Sequence, residues 1–144
     1  MAEPRALLFV YGTLREALAH PMAKVLGTHA ARIGRASFRG QLFDLGEYPG
    51  AVASQDASDR VTGELYRIEP GREAALFAEL DRYEGCDPDD PSSAEYVRVY
   101  ATVEPEGGDP LEAWIYLYNR PTGRLERIVS GDYCAQLRST SEKT

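Results

Sequence analysis

Glycine recurs inside the short apolar runs of this chain, and that placement narrows the folds open to it. From Ala31 to Leu45 a strand-like stretch sets Phe38, Gly40 and Leu42 on one side, with glycines at 34, 40 and 46, and Gly63 lies inside the run from Val61 to Ile68. Glycine within a strand marks a bulge, a corner or a close approach of backbone, so a bent or closed sheet is expected rather than a flat one. The other strand signals are short. Ala6-Leu7-Leu8-Phe9 is an apolar run of buried-strand type. Tyr48-Pro49-Gly50 reads as a turn leading into a strand from Ala51 to Ser54, with a polar hairpin loop over 55–60. Tyr96 to Val103 alternates valine and alanine against Tyr96, Arg98 and Tyr100, and in Leu111 to Tyr118 Trp114, Tyr116 and Tyr118 share one face.

Helical spacing appears twice. Leu18, Met22, Val25 and Leu26 recur between Glu16 and Thr28, with Pro21 suited to a first turn, His20 near the N-cap and Gly27 as a stop. The clearer helix runs from Arg72 to Glu84, where Leu76, Phe77, Leu80 and Tyr83 make an apolar face. Ser130-Gly131-Asp132-Tyr133 is a candidate cap for a short third helix. The expected architecture is α+β: a small closed or strongly curled mixed β-barrel of about six strands with two to three flanking helices. A length of 144 residues suits one domain, placed at 1–137 with a flexible polar tail at 138–144.

Composition excludes more than it selects. A net charge of −7 without a basic stripe speaks against nucleic acid and anionic membrane surfaces as partners. No run is long enough to span a bilayer, and the start is not of signal-peptide type. Cys86 and Cys134 form no disulfide framework and no metal-like spacing, and His20 and His29 lack ligand spacing, so a cytoplasmic protein with no metal is expected. A monomer is the default for one closed domain, with a weak homodimer through an exposed strand as the other arrangement.

Three places carry chemistry. The first strand ends abruptly in Val10-Tyr11-Gly12-Thr13-Leu14-Arg15. Gly12 lets a ligand approach the main chain, and the N–H groups around Thr13 suit an anion or a carbonyl oxygen. On these residues alone an ordinary strand-ending turn is an equal reading. Glu84 follows Leu76 and Leu80 in steps of four, which puts a carboxylate on the apolar face at the negative end of the helix. Burial and dipole would both raise its pKa and make it a usable general base; a frayed last turn would instead leave it in water. Glu64, mid-strand beside Gly63, is the rival carboxylate, and a strand glutamate commonly faces solvent. Tyr118 and Tyr11 end strands and suit the plugging of a barrel mouth, while Arg98 suits a pair with a neighbouring acid. There is no nucleophile elbow, phosphate loop, dinucleotide fingerprint or zinc motif.

Taken in order, Val10-Tyr11-Gly12-Thr13-Leu14-Arg15, His20-Pro21, Leu45-Gly46-Glu47-Tyr48-Pro49-Gly50, Val61-Thr62-Gly63-Glu64-Leu65-Tyr66, Leu80-Asp81-Arg82-Tyr83-Glu84-Gly85, Tyr96-Val97-Arg98, Ala113-Trp114-Ile115-Tyr116 and Ser130-Gly131-Asp132-Tyr133 resemble the γ-glutamylcyclotransferase-like (AIG2-like) family over nearly the whole chain. The resemblance implies a small barrel with flanking helices and a central cavity. It implies that Tyr11, Gly12, Thr13 and Leu14 bind a glutamyl moiety, with Tyr118 at the pocket rim, and that Glu84 is the catalytic glutamate. The implied reaction closes a γ-glutamyl group on itself to give 5-oxoproline and free amine or amino acid, with no cofactor. A non-catalytic binding module of the same fold is the competing reading. The acidic run Asp87, Asp89, Asp90 suits either a cationic leaving amine or a solvated loop.

Overall fold

The structure, a computed structural model, describes residues 7–12, 21–46, 48–83 and 94–133. Its elements, in chain order, are β1 (Leu7–Val10), α1 (Pro21–His29), β2 (Ala30–Asp44), β3 (Pro49–Ala53), β4 (Arg60–Ile68), α2 (Glu73–Tyr83), β5 (Tyr96–Pro105), β6 (Leu111–Tyr118) and β7 (Glu126–Arg127). Five strands close into a barrel in the order β2-β4-β1-β6-β5, with β5 returning to β2. All contacts in that ring are antiparallel except β1–β6, which is parallel. The sheet is therefore closed and mixed, as the glycine pattern required.

The long strand β2 makes closure possible by changing neighbours along its length. Ala30–Arg39 pairs with β4, Ala36–Phe38 also pairs with β5, and Gly40–Asp44 pairs with β3. A bulge between Arg32 and Gly34 bends it, and bulges increase local twist. Gly63 answers to crowding of another kind: a Cβ there would overlap the Val10 carbonyl oxygen and lie 2.6 Å from Phe9 Cζ. Only a residue without a side chain fits that point of the wall.

Alternation along the strands divides the core in two. Phe9, Tyr11, Phe38, Leu42, Val61, Leu65, Val103 and Ile115 fill the barrel. Leu8, Val10, Tyr66, Ile68, Tyr96 and Tyr116 face outward and are covered by Leu26 of α1 and Leu76, Phe77 and Leu80 of α2. Burying one large apolar side chain contributes about 1.5–3 kcal/mol, so both layers matter to stability.

Three local expectations change. Pro49 and Gly50 belong to β3 rather than to a turn. The turn lies earlier, where Leu45 N–H donates to Tyr48 C=O at 3.0 Å and Gly46 adopts φ +107°, in the left-handed region that glycine tolerates. Gly27 does not stop α1, which runs on to His29. There the His29 carbonyl accepts Glu69 N–H at 2.9 Å, and pairing of β2 with β4 begins at Ala30, so sheet pairing ends the helix. Tyr83 is 38% exposed and does not join the buried face of Leu76, Phe77 and Leu80. β7, two residues long, carries too little pattern to be read from sequence.

Candidate functional site

The first strand delivers Tyr11 and Gly12 to one mouth of the barrel. Leu8 pairs with Trp114 in parallel register, so β1 and β6 end on the same side, with Tyr118 at the end of β6. β5 starts there too, since Tyr96 pairs with Tyr118, and β3 starts there because Pro49 pairs with Asp44 at the end of β2. Two of the residues singled out in the sequence, Gly12 and Tyr118, meet a common third segment, β3. A Cβ on Gly12 would lie 2.9 Å from Pro49 Cγ, and one on Gly50 would lie 2.9 Å from both Cβ and Cγ of Tyr118. Glycine at both positions is thus demanded by packing.

Tyr11 points into the barrel and is committed there. Its hydroxyl donates to the Tyr116 carbonyl at 2.5 Å and accepts Ala51 N–H at 3.1 Å. The phenol ties β1, β3 and β6 together, so what Tyr11 offers at the mouth is main chain. Tyr96 adds a parallel restraint by donating to the Pro49 carbonyl at 2.7 Å. Its ring meets Tyr118 edge-on at 5.7 Å, a geometry that aromatic quadrupoles favour.

On the rim, Tyr48 donates to Glu95 Oε2 at 2.8 Å. That hydrogen bond first, then burial and the negative charge of Glu95, push the Tyr48 phenol up to about 12. Glu95 in turn is held through its backbone, its carbonyl accepting Asn119 N–H at 2.8 Å.

Behind the mouth, α2 is fastened to the outer wall by Asp81. Arg98 Nε and Nη2 donate to its two oxygens at 3.0 and 3.3 Å, and Tyr116 donates its hydroxyl to Asp81 Oδ1 at 2.5 Å. The Arg98 guanidinium lies 4.0 Å from the ring centre of Phe77 and 4.8 Å from that of Trp114. The acid expected beside Arg98 is therefore Asp81.

Glu64, the rival carboxylate, does not face solvent. It is 4% exposed, lies opposite Val10 in the β1–β4 register, and is paired with Arg32 at 3.5 Å. Outward-facing positions of β4 are covered, so a charged side chain there is buried and needs its arginine. Thr13, Leu14, His20, Glu47, Glu84, Cys86, Asp87, Asp89, Asp90, Cys134 and the 138–144 tail lie outside the described residues. Among the described residues no group of three or more His, Cys, Asp or Glu side chains is placed to hold a metal ion. No helix in them is long and apolar enough to cross a membrane.

The sequence reading missed β3 as a component of the mouth, although Tyr48-Pro49-Gly50 stood among the residues singled out. It also missed Tyr116, whose two roles depend on contacts 105 and 35 positions away.

Residues 8–135 match the family described as gamma-glutamyl cyclotransferase, AIG2-like. The chain belongs to that family. It is 37% identical over 129 residues to the gamma-glutamylcyclotransferase family protein YtfP of Escherichia coli, covering 88% of this chain and 94% of the relative. It is 30% identical over 121 residues to the gamma-glutamylaminecyclotransferase of Bos taurus, covering 77% of this chain and 64% of that protein. Among solved structures it superposes on YkqA from Bacillus subtilis with a TM-score of 0.69 at 27% identity, covering 96% of this chain but 43% of YkqA. The γ-glutamyl cyclotransferase, AIG2-like fold is thus the setting in which the Tyr11–Gly12 mouth is to be understood.

Proposed function

We propose that this chain is a γ-glutamyl cyclotransferase that converts a γ-glutamyl group to 5-oxoproline and releases an amine or amino acid. The observation that carries this reading is the seating of the Tyr11–Gly12 turn against β3. Gly12 packs on Pro49, and the Tyr11 hydroxyl holds Ala51, so the turn presents main chain at a fixed place. Family membership supplies the reaction class.

In this reading Glu84 is the general base. It takes a proton from the substrate α-ammonium, and the freed amine attacks the γ-carbonyl carbon. A C–N bond forms to close a five-membered ring, and the γ-amide C–N bond breaks. Two protons leave the α-nitrogen over the reaction, and two reach the leaving nitrogen, which departs as an ammonium. No electron is transferred and no cofactor is required. Main-chain N–H groups of residues 11–14 hold the glutamyl end and the developing oxyanion, and folding the substrate so that amine and carbonyl meet provides the entropic advantage. Tyr118 lines the rim. The substrate is a free small molecule in the cytoplasm, and the leaving group is a γ-linked amine or amino acid, as the name of the bovine relative suggests for that protein.

The test is 5-oxoproline release from a panel of γ-glutamyl amino acids, γ-glutamyl-ε-lysine and γ-glutamylated diamines, with Glu84→Gln alongside. Release by the wild type and loss of at least about 100-fold in the variant, in line with removal of a positioned base, supports the reading. Binding without release from any compound would leave a binding module, and undiminished release by Glu84→Gln would remove Glu84 as the base.

A further inference from the structure

We propose that Asp81, Arg98 and Tyr116 form a positioning device that sets the end of α2 against the Tyr11–Gly12 turn, and that its purpose is catalytic geometry. The inference rests on the assignment of Glu84 as base. Tyr116 is the hinge of the argument because it serves both sides. Its main-chain carbonyl accepts the Tyr11 hydroxyl at 2.5 Å, and its side-chain hydroxyl donates to Asp81 Oδ1 at 2.5 Å. One residue of β6 therefore links the turn that ends β1 to the last turn of α2 through two hydrogen bonds.

The acid is restrained from a second direction. Arg98 meets both Asp81 oxygens, and its guanidinium is held against the Phe77 and Trp114 rings at 4.0 and 4.8 Å. The side chains of Arg98 and Asp81 are 25% and 15% exposed. An exposed ion pair of this kind would contribute little and hold nothing in place. A part-buried carboxylate that accepts three hydrogen bonds, one set planar and forked, has few other arrangements open to it. An apolar contact would fasten α2 about as strongly, because ion pairs pay for desolvation; what the polar cluster adds is a defined direction and register.

That register matters for one reason. Position 84 follows Asp81 by three residues, so it can stray no farther than about 11 Å from it even if fully extended. Fixing residue 81 relative to Tyr116, and Tyr116 relative to Tyr11, limits the distance between the proposed base and the proposed glutamyl site. Misplacement by about 1 Å in such a pair costs up to about 100-fold in rate.

The experiment compares Tyr116→Phe and Asp81→Asn with wild type in the 5-oxoproline assay. It is run at a temperature where circular dichroism shows all three folded, and kcat and KM are separated. The expected result is a kcat lower by about 10- to 100-fold with KM within about twofold. The two variants cut different bonds of the cluster: Asp81→Asn breaks the forked pair with Arg98, and Tyr116→Phe removes the hydroxyl that donates to Asp81. Tyr116→Phe deletes one oxygen and keeps the ring packed, so it carries the test should Asp81→Asn fail to fold. An active wild type with unchanged kcat in folded variants, and only a lower melting temperature, would overturn the positioning role alone. A rise in KM at constant kcat would overturn it as well. A wild type that releases no 5-oxoproline would overturn the functional reading first, and the positioning role with it.

Discussion

Tyr11 donates its phenolic hydrogen to the main-chain carbonyl of Tyr116 at 2.5 Å, across 105 positions of sequence, while its oxygen accepts Ala51 N–H at 3.1 Å. Ala51 is 0% exposed and Tyr116 4% exposed, so neither backbone group has ready access to water. Removing the hydroxyl leaves a buried carbonyl and a buried N–H without that partner. Tyr11→Phe is expected to lower unfolding free energy by about 1–3 kcal/mol, the usual cost of stranding buried polar groups. Urea denaturation checks it, as a lower midpoint with an unchanged slope.

Gly50 offers a sharper separation of packing from chemistry. A Cβ there would lie 2.9 Å from Tyr118 Cβ and Cγ and 3.0 Å from Leu45 Cδ1. Tyr118 must move if Gly50→Ala is to fold, at a cost of about 1–3 kcal/mol for overpacking. The displaced ring is the one proposed for the pocket rim. The variant should therefore raise KM for 5-oxoproline release by more than it lowers kcat, measured well below its melting temperature. A change in melting temperature with KM intact would confine Tyr118 to packing.

These two residues also show how far the sequence could be read. Gly34, Gly40 and Gly46 announced a bent or closed sheet, because glycine inside a strand-like run marks a bulge, a corner or a close approach. Leu76, Phe77 and Leu80 announced α2 through their spacing, which depends only on neighbours along the chain. Pro49 and Gly50 were misread as a turn, because Pro-Gly carries a turn signal locally, whereas their strand geometry is imposed by Tyr118 and by pairing with Phe43 and Asp44. Glu64 looked like a solvent-facing strand acid because its burial and its pairing with Arg32 of β2 depend on neighbours that a single strand does not show. The partners of Tyr116 are set by barrel closure, which no local pattern encodes.

Acid stability should depend on Asp59, which ties three elements together. One oxygen accepts Gln41 Nε2 at 2.9 Å and Ser54 Oγ at 2.7 Å, and the other accepts Arg127 Nη2 at 2.7 Å. Ser54 first, then Gln41 and Arg127, hold its carboxyl down at about 2 from an ordinary 3.8. A carboxylate whose pKa is lower in the folded chain adds stability above the unfolded value, and loses it as pH falls through the folded one. The contribution is therefore complete above about pH 4 and fades toward pH 2. Urea midpoints for wild type and Asp59→Asn should differ at pH 5 and converge as pH drops to about 2. Equal midpoints at pH 5 would show that the three hydrogen bonds add nothing to stability.

The phenol of Tyr48 provides a reporter for the rim itself. Its hydrogen bond to Glu95, reinforced by burial and by the charge of Glu95, pushes it up to about 12, with Arg120 opposing. A raised phenol pKa favours the protonated folded form, so its stabilising contribution is intact below about pH 10 and is lost as pH climbs through 12. The chain has nine tyrosines, so the measurement is a difference. The phenolate absorbance titration of Tyr48→Phe is subtracted from that of the wild type. A single component with a midpoint near 12 is expected. In Glu95→Gln the carboxylate that accepts the hydrogen bond is replaced by a neutral amide, and the same component should move down toward 10. A component that stays near 12 in Glu95→Gln would assign the shift to burial. A component already at 10 in the wild type would mean that the Tyr48–Glu95 hydrogen bond does not form in solution.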